Sequence, residues 1–469
     1  MSALYASVMV WVWCGIAFGG GENYLSYAIL HIAGFVLVFV ASILMPLTNI
    51  EVQLTNLVSR FSLTSGSSKR ILAFSLLVVS SLLAIAHWLH MGTIPIIAAT
   101  RLEDVSAIAK VRSDIEVWTR FPYSYVPTIV IKATIPVLAI YYLAKKQHLL
   151  LWAVVAIGLA YALSLMQRSY PLFILLPLGL YAFAGKRYVT GVAAAAISGL
   201  SLLALMVVTN PSMRVVVPHL PEMRQSPSDT REIAQNSNIV ETGSGVAVEA
   251  LPGSAAIPSA SVAPPAAQPV NPASAPLAVV KDIESEMSKL DALQGIVGGI
   301  QQRVLYKPGA IAVRWFKTFP DVYPYQRGCG YRFIAPFAGC EFVALPTLLY
   351  AHYYPRYVAN GVKGSMNAAH FVMEYANFGP VGLAAAGALA GIVLLGVAVV
   401  LAGLELKAFM VLNLPFIIAL GSTSLHTTLL SGGWLLIVLL SLLLLEGRPS
   451  RATLKAKTET EFAVRLSRR

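Results

Sequence analysis

The chain has 469 residues, 57% of them hydrophobic and 12% charged, and its mean hydropathy is +0.70. A soluble chain carries about 25% charged residues, so this composition excludes an ordinary soluble globular protein. The net charge of +12 lies mostly at the ends of apolar runs and in loops, which points to a positive-inside bias and to anionic lipid, not to nucleic acid.

The apolar residues cluster into runs of about 16–25, the length that crosses a hydrocarbon layer as a helix. A transmembrane barrel would show short alternating segments instead. The fold class expected is an all-α polytopic membrane protein with about ten transmembrane helices. In chain order the spans expected are Leu4–Gly19, Tyr24–Leu47, Ile71–His90, Val126–Ala144, Leu149–Met166, Tyr170–Ala184, Tyr188–Thr209, Phe378–Gly403, Ala408–His426 and Trp434–Leu445. Leu4–Gly19 lacks a basic leader and a second span follows at once, so it reads as a span and not as a cleavable signal.

Lys69 and Arg70, Lys145 and Lys146, Lys186 and Arg187, Lys407 and the basic tail all fall on one side of such a bundle. That side is expected to be cytoplasmic, with both termini inside. The domains follow: residues 1–209 form an N-terminal bundle of seven spans, 210–377 a large periplasmic loop, 378–446 three C-terminal spans and 447–469 a cytoplasmic basic tail. Within the loop, residues 226–276 are rich in Ser, Ala, Pro and Val without aromatics, and are expected to be disordered. Ile283, Met287, Leu290, Leu293 and Ile296 recur at helical steps, which predicts an amphipathic helix. Residues 333–356 are apolar enough to tempt an eleventh span, but Glu341 and internal prolines argue for a helix lying on or dipping into the membrane.

Several chemistries are excluded. The sequence has no Walker-type glycine loop, no dinucleotide fingerprint, no Gly-x-Ser-x-Gly elbow and no His/Cys group with zinc spacing. No cofactor and no metal is expected. Cys14 reads as a small core residue of the first span. Cys329 and Cys340 can form a disulfide if their loop faces an oxidising compartment, and are otherwise two free thiols.

Outer-side arginine stands out. Arg101, Arg112 and Arg120 lie in one loop, Arg168 interrupts two spans, and Arg303, Arg314, Arg327 and Arg332 lie among Tyr306, Trp315, Tyr323, Tyr325 and Tyr331. Guanidinium forks match diphosphate oxygens, and aromatic faces bind sugar rings or anchor at headgroups. Glu374 and His370 stand just ahead of a long apolar run. A carboxylate there can act as a general base, position a hydroxyl or pair with arginine, or simply favour a helix N-terminus. Lys132 lies inside the fourth span, where it snorkels or pairs.

The stretch GSMNAAHFVMEYANFGPVGL, Gly364 to Leu383, resembles the signature of the Wzy-type O-antigen and exopolysaccharide repeat-unit polymerases, in which a glutamate precedes a Tyr-x-Asn-Phe-Gly-x-x-Gly run. That run is Tyr375, Asn377, Phe378, Gly379 and Gly382, and LMQRSYPLF is similar to the family's arginine-bearing turn, matched by Arg168. The resemblance implies a glycosyltransferase-C-like fold and metal-independent polymerisation of undecaprenyl-diphosphate-linked units outside the inner membrane. Glu374, His370 and Arg168 would be catalytic. Arg120, Arg303, Arg314, Arg327, Arg332, Tyr323 and Tyr325 would bind the lipid-linked glycan. Membrane lipids, a chain-length regulator and a flippase would be partners. The alternatives are an O-antigen ligase and a non-enzymatic transporter or flippase. Ligases place a His-Asn pair where this chain has Ala368 and Ala369. A transporter would show paired broken helices and a midplane polar site.

Overall fold

The computed structural model describes residues 1–20, 24–44, 65–102, 107–108, 111, 123–209, 307–359, 361, 363–401 and 404–445. The chain divides into a unit of Met1–Val216 with Gln294–Arg469 and a second unit of Val217–Leu293. All described residues belong to the first unit. The expected disordered insert, the amphipathic helix after it and the basic tail lie outside the described residues.

Among the described residues the fold is all-helical. The helices are α1 (Ser2–Gly20), α2 (Leu25–Leu44), α3 (Gly66–Met91), α4 (Pro95–Thr100), α5 (Ile135–Ala144), α6 (His148–Ser164), α7 (Tyr170–Ala184) and α8 (Tyr188–Thr209). There follow α9 (Lys307–Thr318), α10 (Leu345–Tyr353), α11 (Pro355–Ala359), α12 (His370–Val400), α13 (Leu406–Ala419), α14 (Leu425–Leu429) and α15 (Trp434–Leu444). A 3₁₀ turn at Tyr123–Tyr125 and a π-helix at Thr128–Thr134 lead into α5.

Six of these stretches are long and apolar enough to cross a membrane: Leu25–Ser42, Gly66–Met91, Tyr123–Ala144, Tyr188–Thr209, His370–Val400 and Leu425–Leu444. Their outer faces carry bare apolar side chains, among them Ile71, Leu82, Leu89, Val189, Val192 and Leu200. In water such a surface would aggregate; against lipid it costs nothing. The protein is therefore a helical membrane protein. Four shorter apolar helices, Ser2–Phe18, His148–Ser164, Tyr170–Ala184 and Leu406–Ala419, lie in the same chain.

The core helix is α5, buried at every residue from Ile135 to Leu143 and packed on α6 and α7. Its π-helical lead-in has a local cause. Pro136 cannot donate to the Lys132 carbonyl, and its ring presses on that carbonyl, so the turn widens. The Ile135 N–H accordingly bonds Val130 O, and Thr134 Oγ1 donates to Ile129 O at 2.8 Å, each five residues back. On the other side, α2 and α12 pack through small residues, with Gly34 against the Ala384 carbonyl and Gly387 against His31. Trp434 ties α15 to α13 by donating to Asn413 Oδ1 at 2.6 Å and stacking on Phe416.

Two span boundaries need correction. The ninth expected span, Ala408–His426, stops as a helix at Ala419, and Leu425–Leu429 belongs instead with α15 in the stretch Leu425–Leu444. The hydroxyls of Ser422, Thr423 and Ser424 break the apolar run between them, and Gly433 turns with φ 92° where α15 begins. In the tempting 333–356 stretch the helix formed is only the nine-residue α10. At 1.5 Å per residue it is about 14 Å long, too short to cross.

Candidate functional site

The eighth expected span does not run straight. At Gly379 the backbone takes φ 67° and ψ −151°, a conformation open only to glycine, and Pro380 follows. In a straight helix residues 374 and 382 would stand about 12 Å apart. Here a Cβ on Gly382 would collide with the Glu374 carbonyl oxygen. His31 touches both ends of the same folded pair, stacking on Phe371 at 4.2 Å and lying against Gly387. His370–Phe378 is thus a short arm folded back along the helix Pro380–Val400. The Tyr-x-Asn-Phe-Gly-x-x-Gly spacing has its reason here: one glycine for the reversal, another for the close approach.

Asn377 and the arm's last carbonyls dock the loop of residues 320–344. Gln326 N–H donates to Ala376 O at 3.0 Å and Arg327 N–H to Asn377 O at 2.7 Å. Gly330 N–H donates to Asn377 Oδ1 at 3.1 Å, while Asn377 Nδ2 donates to Met373 O at 2.9 Å. Cys329 and Cys340 in this loop are joined by a disulfide, with Cα atoms 5.9 Å apart. Tyr375 donates to Phe319 O at 3.1 Å, and its hydroxyl lies 3.2 Å from that of Tyr325.

Glu374 is half-buried and makes no ion pair among the described residues. Its neighbour is Tyr331, whose buried hydroxyl has no partner at hydrogen-bonding geometry. Burial, and then the charge of Glu374, push the Tyr331 phenol well above its usual range, so it stays protonated and can only donate towards that carboxylate. Tyr331 in turn meets His426 edge-on at 4.7 Å.

His370 is fully buried in a different environment. The Trp13 indole N–H, which can only donate, meets His31 Nδ1 at 3.2 Å. A neutral His31 then carries its proton on Nε2 and donates to the Tyr5 oxygen at 3.0 Å. Tyr5 donates to His370 Nε2 at 2.6 Å. The remaining proton of His370 sits on Nδ1, a buried atom without a partner. This chain of groups fixes the arm from behind. None of its members except His370 stood out in the sequence, because a tyrosine and a tryptophan inside apolar spans read as core.

The other expected residues each have their own surroundings. Arg314 donates to the Tyr354 hydroxyl at 2.9 Å and lies over the Tyr353 ring. Arg332 is exposed over Phe342, and Arg327 is exposed with positive φ. Tyr323 stands edge-on to His352, and Tyr325 packs against the Gly379 reversal, where an added Cβ would be 3.1 Å from its ring. Arg168 lies between α6 and α7 and donates to Thr209 Oγ1 at 2.7 Å. Arg101 is exposed after α4. Arg112, Arg120 and Arg303 lie outside the described residues.

Beside the arm a cleft opens that sequence reading did not single out. A cavity of about 360 Å³ is lined by Ser124, Tyr125, Lys132, Thr423, Thr427, Thr428 and Ser431, with Phe173 and Phe416. A second, of about 220 Å³, shares Thr423 and Thr427 with it and reaches Asn367, Ala368, Met373 and Trp315. The available signal was the hydroxyl-rich run GSTSLHTTLLSGG between two apolar stretches. Glu374 lines neither cavity; its neighbour Tyr331 meets His426, whose ring adjoins the cavity-lining Thr427. The chain matches no protein-family model, no curated protein and no solved structure.

Proposed function

We propose that this protein is a membrane glycosyltransferase that polymerises undecaprenyl-diphosphate-linked oligosaccharide repeat units into O-antigen or exopolysaccharide. The observation that carries the reading is Glu374: a half-buried carboxylate without a cation partner among the described residues, held on a folded-back membrane arm beside a hydroxyl-lined cleft. The six long apolar helices and four shorter ones would together give ten spans. Both termini would then be cytoplasmic, with the arm at the periplasmic face of a bacterial inner membrane.

In this reading a sugar hydroxyl of the incoming lipid-linked unit attacks the anomeric carbon of the growing chain. Glu374 takes the hydroxyl proton as the new C–O bond forms. The anomeric carbon–phosphate oxygen bond breaks, and undecaprenyl diphosphate leaves with the electron pair. Arg168, Arg120, Arg303, Arg314, Arg327 and Arg332 stabilise that departing charge, and Tyr323 and Tyr325 offer faces to the sugars. His370, buried behind the arm, positions Glu374. A chain-length regulator and a flippase would be its partners.

The test is a deletion strain examined by glycan gel. Loss of a polymerase leaves lipid A–core bearing a single repeat, or abolishes exopolysaccharide. Loss of a ligase leaves long polymer on the carrier lipid. A transporter reading is favoured by one observation, the interruption of two membrane segments, one at Gly379 and one at the π-helical turn of Lys132, which lines a polar cavity. It predicts loss of every lipid-linked repeat from the outer leaflet instead.

A further inference from the structure

Lys132 stands inside the candidate membrane segment Tyr123–Ala144, on the π-helical turn. A lysine at that depth normally pairs with a carboxylate or reaches the interface. This one meets no carboxylate among the described residues. Its ammonium lies over the rings of Tyr170 and Phe173, at 5.8 and 5.3 Å from their centroids, and faces the 360 Å³ cavity. No carboxylate among the described residues lines that cavity. Six side-chain hydroxyls do: Ser124, Tyr125, Thr423, Thr427, Thr428 and Ser431.

The arrangement has a chemical meaning. One positive charge ringed by hydroxyls, of which Thr428 and Ser431 donate to the carbonyls of Ser424 and Thr427 and would turn inward on binding, suits an anion with several acceptor oxygens. An acidic lining would suit a cation, and a bare apolar lining a lipid tail. The aromatic wall holds the ammonium without neutralising it. The cavity volume exceeds that of a water cluster and falls at the small end of ligand sites.

We propose that the Lys132 cavity is an anion-binding subsite that takes a phosphate or diphosphate group. Only the choice of polyprenyl lipid as its bearer rests on the function proposed above. The bound group would accept hydrogen bonds from Lys132 Nζ and from the hydroxyls of Thr427 and Ser431.

The full chain in phosphatidylethanolamine nanodiscs tests this by native mass spectrometry and thermal shift, with undecaprenyl diphosphate, inorganic pyrophosphate and uncharged undecaprenol as probes. Saturable binding of undecaprenyl diphosphate but not of undecaprenol, weakened about tenfold or more in Lys132→Met and kept in Lys132→Arg, is the expected result. Comparable binding of pyrophosphate alone would identify a free anion as the source; binding of the lipid only would identify a headgroup. Thr427→Val and Ser431→Ala, which keep the charge, should each weaken binding a few-fold and serve if Lys132→Met fails to fold. Binding unaffected by these changes, equal binding of undecaprenol, or no binding of either anion overturns the proposal. The assay needs no turnover. Intact binding in a strain whose glycan ladder survives deletion would therefore sink the polymerase and leave the subsite standing.

Discussion

The two ends of the helical bundle treat charge differently. At the end where α5 and α15 stop and α3 and α8 begin, several charged groups are answered by carbonyls, a hydroxyl or each other. Buried Lys69 donates to Leu445 O at 3.1 Å, Arg187 to Leu143 O, and Tyr181 to Glu405 at 2.9 Å, with Lys407 beside Glu405. Cations there meet the bare carbonyls of helix C-termini, where the dipole favours them. Towards the opposite end Glu374 stands on the arm that closes at the Gly379 reversal and Lys132 on a π-helical turn, and neither is ion-paired among the described residues. One end spends its charges on stability. The other keeps them available, which is what a site for a charged ligand requires.

The comparison can be broken in four ways. The largest effect is expected from Glu374→Gln, which removes the acid without changing its size. Polymerisation, measured as the glycan ladder at normal protein level, should fall about 100-fold or more, with thermal stability nearly unchanged. A full ladder would make Glu374 a structural charge like those at the other end.

Next comes Gly382→Ala. Its methyl would press on the Glu374 carbonyl, opening the fold-back and costing about 1–3 kcal/mol by thermal unfolding in detergent. An unchanged melting temperature would mean that the arm does not lie along Pro380–Val400. Lys69→Met leaves the α15 carbonyl unanswered and should cost about 1 kcal/mol of stability while leaving the ladder intact. Lost activity in a stable protein would erase the distinction between the ends.

The smallest effect is expected from Tyr331→Phe. Its hydroxyl meets Glu374 only outside good hydrogen-bonding geometry, so stability should stay within about 0.5 kcal/mol of the parent or rise. A drop in polymerisation without loss of stability would show that this phenol donates to Glu374 during the reaction.

Composition and run length alone determined a helical membrane protein and the approximate place of most spans, because lipid leaves a backbone few options and a span needs some twenty apolar residues. The place of Glu374 just ahead of an apolar run drew attention to it, and the glycine spacing behind it entered through the resemblance to the polymerase signature. They did not reveal that Gly379 reverses the chain, since a glycine followed by proline inside an apolar run reads equally as a bend or as a boundary. The tertiary structure decided that His370 faces Tyr5 and His31 and not the cleft, that Tyr331 shields Glu374, and that Lys132 overlooks a hydroxyl-lined cavity. Each of these joins residues far apart in the chain. Hydropathy records how deep a residue lies, not what stands across from it, and only packing brings those partners together.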